Sequence, residues 1–146
     1  VAAVFLGEYE HNLDDKGRLA VPSRFREELG DGVVVTRGFD RCLMGFPRAA
    51  WEQLAKRVNE LSLGQNEARN LRRLLFSGAA DLGLDRQGRI LIPQNLREYA
   101  GLGDQVIVAG LSTHFEIWAI GSWGQVLESL DTSAGAIAEQ LAALGI

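Results

Sequence analysis

The chain repeats itself. Leu13, Asp14, Gly17, Arg18 and Pro22 recur, in the same order and spacing, as Leu84, Asp85, Gly88, Arg89 and Pro93, and the residues just before each proline are apolar in both copies. The register continues downstream. Phe25-Arg26 falls on Leu96-Arg97, and after a two-residue slip Asp31 and Val33 fall on Asp104 and Val106. With one residue of that slip taken back, Phe46 and Trp51 fall on Trp118 and Trp123. An ordered series of this kind marks a duplication, and the unit it defines decides the fold.

Each copy carries the same local physics. In Asp-x-x-Gly the carboxylate accepts hydrogen bonds from backbone N–H groups just ahead, while Gly supplies a positive φ. An apolar run follows and ends at a proline, which cannot donate to a sheet ladder. Short helices are expected over residues 23–29 and 94–100, stopped by Gly30 and Gly101. Strand pairs are expected at 33–36 with 42–46, and at 106–109 with 115–118. A unit of this size hides only about 60% of its unfolded-chain surface, so two units, or several chains, are expected to pack together. The fold class is α+β, mainly β, with repeats at 5–51 and 81–123, connecting helices at 52–80 and a tail at 124–146.

The strongest helical periodicity lies between the copies. Pro47 opens a helix on which Trp51, Leu54, Val58 and Leu61 follow at helical spacing, and a break at Gly64-Gln65-Asn66 precedes a second helix to about Ser77. On the second helix Leu71, Leu74 and Leu75 face a core, with Arg69, Arg72 and Arg73 outward. The Ala/Leu-rich tail has helical stretches at 123–130 and 136–144, which either dock on a neighbour or fray.

Catalytic and metal chemistry find no residues. The histidines, His11 and His114, lack metal spacing, and the single Cys42 permits neither an intrachain disulfide nor a multi-cysteine zinc site. There is no phosphate loop and no nucleophile elbow. His114 is expected in a solvated loop, His11 at a strand edge, and Cys42, Trp51 and Trp118 in apolar packing. No cofactor, metal or catalytic residue is assigned. The apolar start of the chain is too short for a signal peptide, and no window suits a membrane span.

What remains is the duplicated turn. Lys16 and Arg18 in one copy, and Arg86 and Arg89 in the other, carry cations on or beside a tight bend built on Asp14, Gly17, Asp85 and Gly88. Arg18 and Arg89 either pair with Asp14 and Asp85 across the turn, or use it as a rigid platform for meeting a phosphate or a guanine edge. The outward Arg69, Arg72 and Arg73 are the fallback site.

The two Asp-x-x-Gly-Arg turns, each followed by an apolar strand and Pro, resemble the duplicated SpoVT/AbrB-type module of the bacterial MraZ family. Residues 5–9, 17–22, 71–75 and 115–118 resemble it as well. The resemblance implies a tandem, pseudo-symmetric swapped-hairpin AbrB-like β-barrel, with short helices and a central helical segment, in a ring-shaped homo-oligomer, an octamer being favoured. It also implies a cytoplasmic, nucleoid-associated transcriptional regulator, usually a repressor, that binds direct repeats of double-stranded promoter DNA at the division and cell-wall gene cluster. Lys16, Arg18, Arg86 and Arg89 would contact DNA. The rival readings are a ring-forming protein-interaction scaffold and an antitoxin-like AbrB module. The family start falls near Val4, so residues 1–3 are expected to be an extension.

Net charge of -4 speaks against a DNA partner until the charges are located. All 15 Lys and Arg lie at or before Arg97, whereas six acids and no Lys or Arg follow it. A uniformly basic binder is excluded; one with a few cations on repeated turns is not.

Overall fold

The computed structural model describes residues 4–146; residues 1–3, the expected extension, lie outside the described residues. The elements run β1 (Glu8–Asn12), β2 (Arg18–Ala20), α1 (Ser23–Leu29), β3 (Gly32–Arg37), β4 (Leu43–Phe46), α2 (Arg48–Asn59) and α3 (Asn66–Ser77). The second copy supplies β5 (Ala80–Gly83), β6 (Arg89–Leu91), α4 (Gln94–Tyr99), β7 (Gln105–Gly110), β8 (Phe115–Ala119) and finally α5 (Ile120–Ala143). The architecture is α+β, mainly β, with antiparallel pairing throughout the described strands. All 3 prolines serve one purpose: Pro22, Pro47 and Pro93 are the N-cap residues of α1, α2 and α4, where a missing N–H costs the helix nothing.

The two copies exchange strands. β1 pairs with β7 of the other copy, from Glu8↔Ala109 to Asn12↔Gln105, and its counterpart β5 pairs with β3, from Gly32↔Gly83 to Val35↔Ala80. The sheet order β1-β7-β8-β4-β3-β5 therefore maps onto itself when the copies are interchanged. At its centre Met44 on β4 faces its counterpart Glu116 on β8. In a separate two-stranded ribbon, Leu19 on β2 faces its counterpart Ile90 on β6. A pseudo-twofold axis passes through both pairs.

This is an AbrB-like arrangement in which the sheet is not closed: β1 and β5 are its edges. The ribbon is too short to complete the ladder. Val21 and Ile92 still donate across it to the carbonyls of Gly88 and Gly17, at 3.0 Å each, and Pro22 and Pro93 then stop the pairing.

Leu19 and Ile90 enter the main core between the ribbon and the sheet, with Phe5, Phe25, Val33, Val35, Val108 and Phe115. Phe5 stands edge-on to Phe25 with ring centroids 5.1 Å apart, and both rings approach Phe115. On the other face of the sheet α2 and α3 bury Met44, Phe46, Val58 and Leu75, while the start of α5 rests Trp123 and Val126 on Cys42, Ile107 and Trp118. Cys42 is fully buried, as expected, and burial beside Glu116 pushes its thiol up to about 12.

Four expectations need correction. The tail is one continuous helix of 24 residues, because Ser133 and Gly135 lower helix propensity without breaking a run otherwise rich in Ala and Leu. Leu61 lies past the end of α2 and is exposed. His114 is half-buried, stacked on Phe46 at 4.8 Å between centroids, because the hairpin before β8 folds down on β4. Arg69 and Arg72 do not form a free face: Arg69 Nη1 donates to the Leu63 carbonyl, and Arg72 Nη2 donates to those of Asn59 and Leu61. These carbonyls lie at and beyond the end of α2, where the helix leaves acceptors unsatisfied. Of the three, Arg73 alone is exposed.

Candidate nucleic-acid interface

The turn ahead of β2 is fixed by one carboxylate. Asp14 Oδ1 accepts the backbone N–H groups of Lys16 and Arg18 at 3.0 and 2.8 Å, and Oδ2 accepts from Arg18 Nε at 2.6 Å. The Gly17 N–H donates to the Asp14 carbonyl at 3.0 Å, with Gly17 at a φ of 86°. The second copy reproduces this bond for bond. Asp85 Oδ1 accepts from the N–H groups of Gln87 and Arg89, both at 2.9 Å, Oδ2 accepts from Arg89 Nε at 2.8 Å, and Gly88 has a φ of 74°. Both turn arginines therefore make the carboxylate pair that the sequence allowed.

The bonds leave an electrostatic mark. The Arg18 backbone N–H, helped by the Arg18 guanidinium and the Lys16 N–H, holds the Asp14 carboxyl down at about 2, overcoming a desolvation effect that is second in size only to the Arg18 N–H bond. Asp85 is lowered for the same reasons by Arg89 and Gln87. A carboxylate this strongly held stays charged and keeps its arginine aligned.

Pairing does not exhaust the arginines. Each spends Nε on the turn, and their η nitrogens make no hydrogen bond among the described residues. Strand alternation sets their direction. Leu19 and Ile90 are 1% and 0% exposed on the inner side of the ribbon, so Arg18, Ala20, Arg89 and Leu91 share the outer side. Arg18 sits opposite Leu91 and Arg89 opposite Ala20, which makes the two arginines diagonal neighbours at about 7–8 Å. Leu91, 55% exposed, stands directly across from Arg18. Lys16 and Arg86 project from the turns into solvent at positions that are not counterparts: Lys16 aligns with Gln87, and Arg86 with Asp15.

Two further arginines belong to the surface and carried no role in the sequence reading. Arg26 on α1 donates Nε to the Val21 carbonyl at 2.8 Å, and Arg97 on α4 donates Nε to that of Ile92 at 3.0 Å. Each guanidinium crosses to the other copy. A β-carbon on Gly17 would stand 2.7 Å from Arg97 Cζ, and one on Gly88 would stand 2.5 Å from Arg26 Cζ. The glycines are thus required twice, for backbone conformation and for the close approach of a planar cation. The available signal was the alignment of Phe25-Arg26 with Leu96-Arg97. Arg26 also lowers the pKa of nearby His11, adding to the larger effect of burial.

The assembled surface is a two-stranded ribbon with an apolar inner side and an outer side bearing Arg18 and Arg89, flanked by Arg26 and Arg97 and tipped by Lys16 and Arg86. Among the described residues no three His, Cys, Asp or Glu side chains are grouped to hold a metal ion, and no helix is long and apolar enough to cross a membrane.

Comparison with known proteins accounts for the duplication. The family model described as "MraZ protein, putative antitoxin-like" matches twice, over residues 4–74 and 75–143. The chain is 64% identical over 141 residues to a protein of Roseiflexus sp. (strain RS-1), covering 97% of this chain and 99% of that one. It is 52% identical over 143 residues to one of Herpetosiphon aurantiacus, covering 98% and 100%, and 46% identical over the same shares to one of Syntrophomonas wolfei. All three relatives bear the name "Transcriptional regulator MraZ". With both copies matched and the relatives aligned over nearly their full length, the chain belongs to the MraZ family, a family of transcriptional regulators and not of enzymes.

Proposed function

We propose that this chain binds double-stranded promoter DNA in a sequence-specific manner, chiefly as a repressor of the division and cell-wall gene cluster, through Lys16, Arg18, Arg86 and Arg89. The observation that carries the reading is the paired set of unspent guanidinium η groups on a preorganised ribbon. A two-stranded ribbon fits the major groove of B-DNA, and an arginine fork held at Nε offers two parallel donors to a phosphate or to guanine O6 and N7. Asp14, Gly17, Asp85 and Gly88 keep the turns in shape, so little conformational freedom is lost on binding. Arg26 and Arg97 add charge at the flanks, and Leu91 offers an apolar contact of the kind that thymine methyls accept.

One ribbon gives a modest affinity, and several give a large one. In a homo-oligomeric ring, of eight copies by family resemblance, neighbouring ribbons meet successive direct repeats, and linkage raises apparent affinity by roughly 10² to 10⁴ when the spacings match. The acids beyond Arg97 oppose binding to arbitrary DNA. A protein working in this way resides in the cytoplasm on the nucleoid, with units at 5–51 and 81–123 as its DNA-facing repeats.

Fluorescence anisotropy over a salt series, using promoter fragments with one direct repeat or several, tests the proposal. The expected result is tighter binding to several repeats and a falling affinity as salt rises. Equal binding to unrelated DNA of the same length would overturn it.

A further inference from the structure

One face of α5 has no covering within the chain. Leu127, Leu130, Ile137 and Leu141 are 38%, 46%, 37% and 43% exposed. They continue a seam that starts at Ile120 and Trp123 and advances in alternating steps of three and four residues to Leu144, the spacing by which one helix receives another. The duplication identifies what is missing. Trp51 and Trp123 are counterparts, so Ala55 and Val58 on α2 correspond to Leu127 and Leu130 on α5. In the first copy α3 folds back over that surface, leaving Val58 only 5% exposed against Leu75. In the second copy α5 runs straight on and the equivalent surface stays open.

Charge selects the occupant. α5 carries Glu128, Asp131 and Glu139 with no Lys or Arg, so two α5 helices laid together would oppose acids with no cation between them. On α2, Lys56 and Arg57 are exposed and make no ion pair among the described residues. Beside Arg57 an apolar groove of about 570 Å³ runs between α1 and α2, lined by Phe46, Ala50 and Leu54, with Glu27 and Glu28 on its α1 side. An acidic helix with an apolar seam suits this groove only along its Arg57 side, with its acids turned away from Glu27 and Glu28.

We propose that α5 of one copy docks in the α1–α2 groove of a second copy, head to tail. Donor and acceptor surfaces differ, so every copy offers both, and successive copies close into a ring when the rotation between them allows. The inference rests on the ring assembly proposed above and names the contact that builds it.

Light scattering on the full chain and two variants tests this. Leu130→Glu/Ile137→Glu damages α5, and Ala49→Glu/Gln53→Glu damages the groove through exposed positions. Each variant alone is expected to be a monomer with the helical circular dichroism of the parent. Mixed one to one, they are expected to form a heterodimer and nothing larger, joined by the one intact α5 and the one intact groove. Two monomers that stay apart on mixing overturn the direct contact, as does a groove variant that remains assembled while the α5 variant does not, the signature of paired α5 helices. An α5 variant that assembles normally but loses promoter DNA overturns it in favour of DNA as the occupant. A parent that is itself monomeric overturns the ring reading, whereas an assembled parent indifferent to both variants overturns the docking alone.

Discussion

Arg97 of the second copy lies over Gly17 of the first, its Nε and Cζ each within 2.7 Å of where a Gly17 β-carbon would be. Arg26 and Gly88 repeat the relationship in the opposite direction. Each turn is consequently built by one copy and roofed by the other, and a change in either arginine reaches a turn distant in sequence.

Gly17→Ala should cost more than a backbone penalty. A β-carbon at a φ of 86° costs about 1–2 kcal/mol by itself, and here it also displaces the Arg97 guanidinium. Gly101, at a φ of 62° with nothing within 4 Å of its would-be β-carbon, serves as the control without a close neighbour. Urea midpoints are expected to fall further for Gly17→Ala and Gly88→Ala than for Gly101→Ala. Equal losses would mean that the roofing arginines move aside freely.

Arg18→Ala and Arg89→Ala should weaken promoter binding by about 1–3 kcal/mol each if the lost contact is to a base edge. If it is to a phosphate, the salt slope should instead flatten by about 1. Both variants should keep the parent's assembly in light scattering. Parental affinity in both would make the turns purely structural.

Acid should loosen the turns in a defined window. The Asp14 carboxyl is held at about 2 in the folded chain against an ordinary 3.8, so its stabilising contribution is complete above about 4 and is lost as pH falls toward 2. Asp85 acts in the same direction. Asp14→Asn should therefore be less stable than the parent at pH 7, with the gap closing below pH 4. A constant gap between pH 7 and pH 3, measured by urea unfolding, would show that charge plays no part.

His114 should impose a second dependence at milder pH. Burial, partly offset by Glu116, lowers its pKa from 6.5, so folding favours the neutral ring and stability falls as pH drops below 6.5. His11 contributes likewise. His114→Phe preserves the stack on Phe46 and removes one of these groups, so the drop in Tm between pH 7 and pH 5 should shrink. An undiminished drop would assign the effect to His11 or to other groups.

The duplicated turn, the helices behind Pro22, Pro47 and Pro93 and the apolar strands were legible because each rests on local stereochemistry that a short stretch of sequence displays. Partner choice was not. Periodicity marks residues 19–21 and 90–92 as strands, yet nothing in either says that Leu19 meets Ile90 across an axis. The crossing of Arg26 and Arg97 to the opposite glycines follows from that same long-range geometry. Arg72 misled for a related reason. Helical phase put it outward with Arg69 and Arg73, but the end of α2 lies within reach, and its unsatisfied carbonyls draw the side chain in. His114 looked like a loop residue because its neighbours Ser112 and Thr113 favour turns, while the Phe46 ring beneath it is remote in sequence.

The exchange of strands also sets a timetable for synthesis. β1 leaves the ribosome before its partner β7, which lies roughly 100 residues behind, a delay of about 5–20 s at ordinary elongation rates. Over that interval Phe5 has neither Phe115 beneath it nor Ser112 to bond with, and β3 waits in the same way for β5. Until residues 80–110 have emerged, neither β1 nor the β5-facing side of β3 has its partner, and both are unpaired strand edges of the kind that invite pairing with another chain. Translational pausing between the copies would lengthen that exposure.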